Sequence, residues 1–487
     1  MCLRLWTYWV FASCFWCAGL FAQSDFYDES NDSGNNARPH YQLLEKLLRY
    51  DPLSPPERIR KALEDSPFGD KSSIHTSPWI ISSSEVQRIR TGTRQIARAL
   101  SEFAKDMIFS GSRIQESGIL PLEVYQSLLP RLVDLRQAWK GRSLLDLNFN
   151  VAPDIMRAPD KEFRVIEINI GPVGGLADNE NIRRLYRKFH PALGPEFNLE
   201  SPDTNAYSER IVQNFRLDGA HQIGFQIWNY PGIQRLTEHQ CVMPNSSLHH
   251  WRIGEAWEKL GAQLISQGSE FKDPSQIRFF SSLMTGDQFR SRPQLNMDEL
   301  TSFLENKILL PYIEEMIRFY LGEEPVIKIQ PSALVRLRLD RRGDRLEAVD
   351  PRISLSLDGK QLVLKRPDAN QGRGVLIANF QREELIRDLA ASTASPSPES
   401  NQIFVQQEYL EASRLQGHRV DLRPIALVTA GENVLVNNLP WGRVQLSRDP
   451  QQSKYTNISQ GAKQLIILEA TKKCERSLHD LGIALPH

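Results

Sequence analysis

The stretch FRVIEINIGPVGG, residues 163–175, alternates β-branched and polar residues and then turns into a glycine-rich loop. This pattern predicts a strand that ends in a tight loop. Residues two apart on a strand share a face, so we expect Glu167 and Asn169 to point together while Ile166 and Ile168 pack behind them. Two hard oxygen donors on one face suit Mg²⁺, and Asp154 lies at a distance typical of a neighbouring hairpin strand. The solvated face of an edge strand is the alternative.

A second motif, VLKRPDANQGRGV at residues 363–375, ends a predicted strand with Lys365. The loop that follows contains Gly372 and Gly374. Backbone N–H groups of such a loop can bind phosphate, and a strand lysine can reach the same group. The Gly-Lys-Ser/Thr signature of the P-loop is absent from this motif, and an ordinary hairpin turn is the alternative.

The stretch RVDLRP, residues 419–424, alternates charged and apolar residues strictly. Arg419, Asp421 and Arg423 are therefore expected on one strand face. A row of arginines around a carboxylate suits phosphate oxygens, and a surface ladder of ion pairs is the alternative. A further arginine, Arg443, follows in the sequence WGRV.

Other predicted elements are long amphipathic helices and apolar strands. The helices are expected at 86–109, 256–267 and 300–321, and the strands at 223–228, 361–365, 402–407, 419–428 and 433–437.

The composition is that of a folded protein of two or three lobes, because 487 residues exceed the usual size of one core. Lysine and arginine equal aspartate and glutamate at 59 each, which gives no indication of a nucleic-acid partner. Beyond the N-terminal leader only Cys241 and Cys474 remain, and their spacing is not that of a zinc site.

The N-terminus carries Arg4 and then an almost wholly apolar run to Ala22, followed by polar and acidic residues. This pattern predicts a secretory signal peptide and an exported or periplasmic protein. An uncleaved membrane anchor on a cytoplasmic protein is the alternative, with membrane contact only through this segment.

Taken in order, these motifs resemble the circularly permuted ATP-grasp proteins, which are more distantly similar to glutathionylspermidine synthetase. The resemblance spans roughly residues 25 to 470, and its motifs occur in the same order along the chain as in the family. They are YDE (27–29), ARPHY (37–41), EINIGPVGG (167–175), PYI (311–313), IRFYLGEEP (317–325), Lys365, VQQE (405–408), RVDLRP (419–424) and SQG (459–461). The family's arginine two residues before the first metal aspartate is replaced by Ala152.

The resemblance implies a mixed α+β and α/β protein with an ATP-grasp fold in circularly permuted order. The chain is expected to divide into four parts, which include a helical N-terminal region and a pre-ATP-grasp-like α/β lobe. They are a signal peptide or membrane anchor (1–22), the helical region with the metal-binding strands (23–200), the pre-ATP-grasp-like lobe (201–330) and the ATP-binding lobe with phosphate loop, hinge and arginine strand (331–487).

The resemblance also implies a role for each motif residue. The ATP-binding residues are Lys365, Gly372 and Gly374 at the phosphates and Gln406, Gln407 and Glu408 at the adenine and ribose. The Mg²⁺ ligands are Asp154, Glu167 and Asn169. The residues that stabilise the transferring phosphoryl group are Arg419, Arg423 and Arg443. No motif places the second phosphate-contacting lysine that such enzymes often carry, and Lys328 is named only as one candidate.

The implied activity is that of an ATP- and Mg²⁺-dependent ligase that joins a carboxylate to an amine through an acyl-phosphate. Its substrate would be a small amino acid, a peptide or a polyamine. The alternative is a non-catalytic exported binding protein that retains the fold, because a fold does not fix a function.

Overall fold

The computed structural model describes the helices and strands in the segments below, with a few isolated residues between them. The longer described segments are 78–110, 113–139, 149–170, 302–338, 345–353, 361–367, 375–378, 402–415, 417–429, 432–445 and 462–471. Short strands are also described at 222–226, 263–265 and 277–281. The predicted leader, the motifs at 27–41 and 459–461, and most of the predicted helix at 256–267 lie outside these segments.

The helices and strands are numbered in chain order. The α-helices are α1 (Ser83–Lys105), α2 (Arg113–Ser117), α3 (Leu122–Trp139) and α4 (Ile313–Leu321). The first strands are β1 (Trp79–Ser82), β2 (Phe149–Arg157), β3 (Phe163–Ile170), β4 (Gln222–Gln226), β5 (Gln263–Ile265), β6 (Ile277–Ser281), β7 (Lys328–Ile329), β8 (Ser332–Arg338), β9 (Arg345–Ala348) and β10 (Leu362–Lys365). The remaining strands are β11 (Val375–Ala378), β12 (Gln402–Glu408), β13 (Arg414–Leu415), β14 (His418–Arg423), β15 (Ala426–Thr429), β16 (Asn433–Val436), β17 (Trp441–Val444), β18 (Lys463–Leu465) and β19 (Ile467–Ala470).

Two sheets position the candidate site. The larger one has the order β16-β15-β2-β14-β17-β18, with β3 joined to β2, β7 joined to β3, and β13 joined to β14. It therefore combines strands from the first half of the chain with strands near its C-terminus. The second sheet has the order β11-β10-β12-β8-β9 and contains only strands that follow residue 330. Mixed α and β structure agrees with the predicted fold class.

Helix α1 begins with a capping box, in which Ser82 and Glu85 each bond to the other's backbone N–H. Its apolar stripe is buried in the main core, where it packs against α4 and against β15 and β16. The predicted long helix is confirmed, although its last turn widens into a π-helix at Asp106–Ser110. No helix in the described segments is long and apolar enough to span a membrane.

The single helix predicted over 300–321 is wrong, because the segment divides into three pieces. Short 3₁₀ helices occupy Ser302–Glu305 and Lys307–Tyr312 before α4 begins. Asn306 interrupts the run by capping the second piece, with its side chain accepting from the N–H of Ile308. Pro311 lies inside that piece and lacks the N–H of a continuous helix.

Two further strand and helix predictions need correction. The strand expected over 419–428 divides into β14 and β15 around Pro424, which cannot donate to a sheet ladder. Part of the helix expected over 256–267 is instead β5, which pairs in parallel with β4. Pairing with a neighbouring strand thus overrides the helical pattern of that segment.

Strands β2 and β3 form the antiparallel hairpin that the sequence predicted. Glu167 lies directly opposite Asp154, and the register then shifts so that Ile166 becomes the extra residue of a β-bulge. The prediction that Ile166 packs behind the polar pair together with Ile168 is therefore wrong. Ile168 enters the main core, whereas Ile166 packs against a second, smaller apolar cluster.

Candidate functional site

Four charged residues form what we call the arginine face, which consists of Asp154, Asp421, Arg423 and Arg443. They lie on the adjacent strands β2, β14 and β17. Arg423 donates to both oxygens of Asp154, at 2.7 and 2.9 Å. Arg443 donates to both oxygens of Asp421 at 2.7 Å, and one of its terminal nitrogens lies 2.8 Å from Asp154. Three of the predicted site residues therefore meet, and Asp421 joins them.

Charge pairing dominates the electrostatics of the arginine face. Burial acts to raise the pKa of Asp154, but the charges and hydrogen bonds of Arg423 and Arg443 outweigh it and hold the pKa well below its ordinary value. Burial likewise acts to lower the pKa of Arg443, and the two facing carboxylates raise it instead. Asp154 and Arg443 are thus fully charged at neutral pH.

Arg419 shares the strand face of Asp421 and Arg423 but does not join their network. Its guanidinium lies over the ring of Tyr409, 4.6 Å from the ring centre, and donates to the carbonyl of Leu410. Burial, the largest influence, lowers the pKa of Arg419. This arginine therefore ties the segment after β12 to β14, and it lies beside the arginine face rather than within it.

A second charged group, which we call the lysine cleft, contains Lys307, Lys365, Glu167, Gln407 and the carbonyl of Ile166. The bulge leaves that carbonyl outside the ladder of β2 and β3, and Lys365 Nζ donates to it at 2.6 Å. Gln407 Nε2 donates to the same oxygen at 3.3 Å. Lys307 Nζ lies 3.2 Å from Glu167 Oε1. The bulge thus joins the lysine strand to the Glu-x-Asn strand.

Burial is the main influence on Lys365. It lowers the pKa of the ammonium group, the neighbouring charge of Lys307 adds to that effect, and Glu167 and Asp154 oppose it. Lys307 and Lys365 both line a narrow cleft whose other lining side chains are mainly apolar. A buried lysine beside such a cleft favours an anionic ligand, which would restore the stability of the charged form.

The three predicted hinge residues of β12 do not act alike. Gln407 lies opposite Val363 in β10 and so shares the face of Lys365, whereas Gln406 lies on the other face of the sheet. Gln406 is buried, and its Nε2 has no hydrogen-bond partner among the described residues. The backbone N–H of Glu408 donates to Pro331, so its amide belongs to the connection with β8.

The predicted Mg²⁺ ligands Asp154, Glu167 and Asn169 lie near one another on the paired strands β2 and β3. Both oxygens of Asp154 already accept from arginines, while the side chain of Glu167 is 25% exposed at the cleft. Asn169 donates through Nδ2 to the carbonyl of Ala152, which leaves its Oδ1 as an acceptor. Within the described segments no group of three His, Cys, Asp or Glu side chains forms a metal site. Mg²⁺ usually completes its shell with phosphate oxygens and water.

Two predicted residues, Gly372 and Gly374, lie outside the described segments. Lys328 is half-exposed on β7, with its Nζ 3.7 Å from Glu314, and does not line the cleft.

Lys307 is the residue that sequence reasoning missed. It occupies a 3₁₀ helix, just before the PYI motif, and belongs to none of the motifs assigned to the site, and only the tertiary structure brings it to Glu167.

Comparisons with known proteins give distant relatives. No protein-family model matches the chain. An uncharacterized protein of Mycobacterium tuberculosis is 24% identical over 439 residues, which covers 84% of this chain and 75% of the relative. An uncharacterized protein of Synechocystis sp. is 22% identical over 420 residues, which covers 79% of this chain and 81% of the relative.

The structure is also similar to that of a glutathione synthetase like-effector from Globodera pallida in its apo form. The TM-score is 0.51 at 11% sequence identity, and the match covers 88% of this chain and 97% of that chain. At this identity the likeness concerns the fold.

Proposed function

We propose that this protein is an ATP- and Mg²⁺-dependent carboxylate–amine ligase with an ATP-grasp fold in circularly permuted order. One observation carries the proposal. Lys365 bonds to the bulge carbonyl of Ile166 although the two residues are 199 positions apart in the sequence. Two motifs that each suit part of a Mg²⁺–nucleotide complex therefore lie side by side.

The lysine cleft and the arginine face have different roles in the proposed reaction. In the lysine cleft, Lys365 and Lys307 bind nucleotide phosphates. Glu167 and the neighbouring Asn169 would supply oxygen ligands to Mg²⁺, which would neutralise phosphate charge. In the arginine face, Arg423 and Arg443 are held in fixed orientations by carboxylates. Fixed donors of this kind stabilise charge that develops on a transferring phosphoryl group.

The reaction has two balanced steps. A carboxylate oxygen of the first substrate attacks the γ-phosphorus of ATP, and ADP leaves as the acyl-phosphate forms. The nitrogen of an amine then attacks the acyl carbon, so that the amide bond forms, inorganic phosphate leaves and the amine loses a proton. Positioning of the two substrates contributes most of the rate acceleration.

Calorimetric titration of MgATP into the full chain tests the proposal. We expect saturable binding that Lys365→Met weakens about 100-fold, equivalent to two factors of ten in the dissociation constant. Lys328→Met is the matched control, because Lys328 is exposed and lies away from the cleft. The ligase proposal fails if the unmutated protein does not bind MgATP, or if both substitutions weaken binding equally.

A nucleotide-binding protein without catalysis is the second candidate. The observation that favours it is the bidentate bond from Arg423 to Asp154, which engages both carboxylate oxygens. Binding of MgATP with no phosphate release in the presence of mixed amino acids and amines would support this candidate over the ligase.

A further inference from the structure

A fully buried glutamine, Gln445, follows directly after β17. Its side chain is 0% exposed, and neither its Nε2 nor its Oε1 has a hydrogen-bond partner among the described residues. The Nε of Arg419 is likewise buried without a partner. Buried polar atoms are nearly always hydrogen-bonded, so unsatisfied atoms on two paired residues mark a candidate position for a ligand.

The sheet places these atoms beside the arginine face. The backbone N–H of Gln445 donates to the carbonyl of Arg419 at 2.9 Å, which extends the ladder between β14 and β17 by one pair. Gln445 and Arg419 therefore share a face with each other and with Arg443 and Asp421. Gln445 lies two residues beyond Arg443, about 6.6 Å along the strand.

The unsatisfied atoms determine which chemical groups a ligand at this position must present. Gln445 offers an NH₂ donor group and a carbonyl acceptor side by side, which matches the C=O and N–H of an amide. Arg419 adds a donor that suits a carbonyl or carboxylate oxygen. An amino acid or a small peptide presents both kinds of group. A polyamine presents only donors and positive charge, so it leaves Gln445 Nε2 and Arg419 Nε unsatisfied.

The charge balance of the surroundings points the same way. The cations outnumber the anions, even though most are paired. The cations are Arg414, Arg419, Arg423, Arg443, Lys307 and Lys365, and the anions are Asp154, Glu167, Glu411 and Asp421. A polycation entering this region meets net repulsion.

We propose that Gln445 and Arg419 form the binding subsite for the amine substrate, and that this substrate is an amino acid or small peptide rather than a polyamine. The proposal rests on the ligase function above and narrows its substrate class. The carboxamide recognises the amide or carboxylate portion of the substrate, and the adjacent arginine face lies where the activated carboxyl group would be attacked.

Two substitutions at Gln445 test the subsite in the full chain. Gln445→Met keeps the volume and removes both polar atoms, so it raises the melting temperature of the ligand-free protein while abolishing the subsite. Gln445→Glu removes the donor and adds negative charge, so it favours a cation. Gln87→Met, at an exposed position of α1, is the control.

The probes are a panel of glycine-containing dipeptides and spermidine, with binding measured by thermal shift and calorimetry. We expect at least one dipeptide to bind the unmutated protein more tightly than spermidine does. We expect Gln445→Met to weaken that dipeptide by about tenfold or more, as for the loss of a buried hydrogen-bonded pair. Gln445→Glu is expected to reverse the preference toward spermidine.

The subsite is refuted if no dipeptide binds, if spermidine binds more tightly than every dipeptide, or if Gln445→Met binds the dipeptide unchanged. The MgATP titration separates the two proposals. Dipeptide binding without MgATP binding overturns the ligase function and leaves the subsite intact. MgATP binding without dipeptide binding overturns the subsite alone.

Discussion

The arginine face and the lysine cleft are neighbours, yet their charges are balanced in different ways. In the arginine face, Arg423 and Arg443 are each matched by carboxylates at 2.7 to 2.9 Å. In the lysine cleft, Lys365 donates to a backbone carbonyl, and burial outweighs the attraction of the nearby acids. The charges of the arginine face are thus paired within it, whereas a bound anion would stabilise the charged form of Lys365 in the lysine cleft.

This difference separates stability from binding. A buried charge network that is internally paired is costly to disrupt, because removing one member strands the others away from water. A buried lysine whose charge is disfavoured adds little to the folded state by itself. We therefore expect the arginine face to support the fold and the lysine cleft to support ligand affinity.

The largest expected effect is on stability and contrasts one substitution in each group. Arg443→Met removes the bidentate partner of buried Asp421, so we expect it to lower the free energy of unfolding by about 3–5 kcal/mol. Lys365→Met is expected to change it by less than about 1 kcal/mol, because an apolar side chain replaces a disfavoured buried charge. Chemical denaturation of both variants measures the difference.

The control for that comparison is Arg98→Met, which removes a half-exposed ion pair with Glu323. Such pairs contribute about 0–1 kcal/mol. Equal losses for Arg443→Met and Lys365→Met would contradict the division between the two groups.

A smaller effect is expected on affinity within the lysine cleft. Lys307 approaches Glu167 and lines the cleft, so Lys307→Gln should weaken MgATP binding about tenfold. Lys328→Gln should leave the affinity unchanged. Calorimetry on both variants decides which lysine accompanies Lys365, and a loss only for Lys328→Gln would reverse our assignment.

The smallest expected effects concern the dependence of stability on pH. They appear on the acid side for the arginine face and on the alkaline side for the lysine cleft. The folded pKa of Asp154 is lowered, so its stabilisation is present above the ordinary carboxyl range and is lost as the pH falls. The folded pKa of Lys365 is lowered as well. The unfolded chain then binds the lysine proton more tightly, and stability rises as the pH increases toward the ordinary lysine range.

Denaturation profiles of three proteins between about pH 3 and about pH 10 test both signs. Asp154→Asn should flatten part of the acid-side loss, and Lys365→Met should flatten part of the alkaline-side rise. Each change in slope is bounded by about 1.4 kcal/mol per pH unit, the value for one proton. Unaltered profiles would show that neither group titrates differently in the folded and unfolded states.

Local patterns in the sequence predicted a substantial part of the candidate site. The alternation around Asp421 predicted a charged strand face, and the spacing between Asp154 and Glu167 predicted a hairpin. The roles assigned to these residues in binding ATP and Mg²⁺ stay predictions, as do the four domain boundaries. The period of a strand is a property of neighbouring residues, which is why a single chain reveals it.

Other features had no local signal. The bulge at Ile166 depends on the register between β2 and β3, and Lys307 reaches Glu167 only through the packing of its 3₁₀ helix. Arg419 lies outside the arginine face because its guanidinium contacts Leu410 and Tyr409 instead. A strand alternation shows which side chains share a face but not which partners face them.

The sequence by itself determined the helix α1, the polar strand faces around Glu167 and Asp421, and a neutral charge balance. The tertiary structure alone decided that Arg423 and Arg443 pair with carboxylates while Lys365 meets a carbonyl. The physical reason is that the free energy of a charge depends on its distance to other charges and on its burial. Both quantities are set here by contacts between residues that lie far apart in the chain.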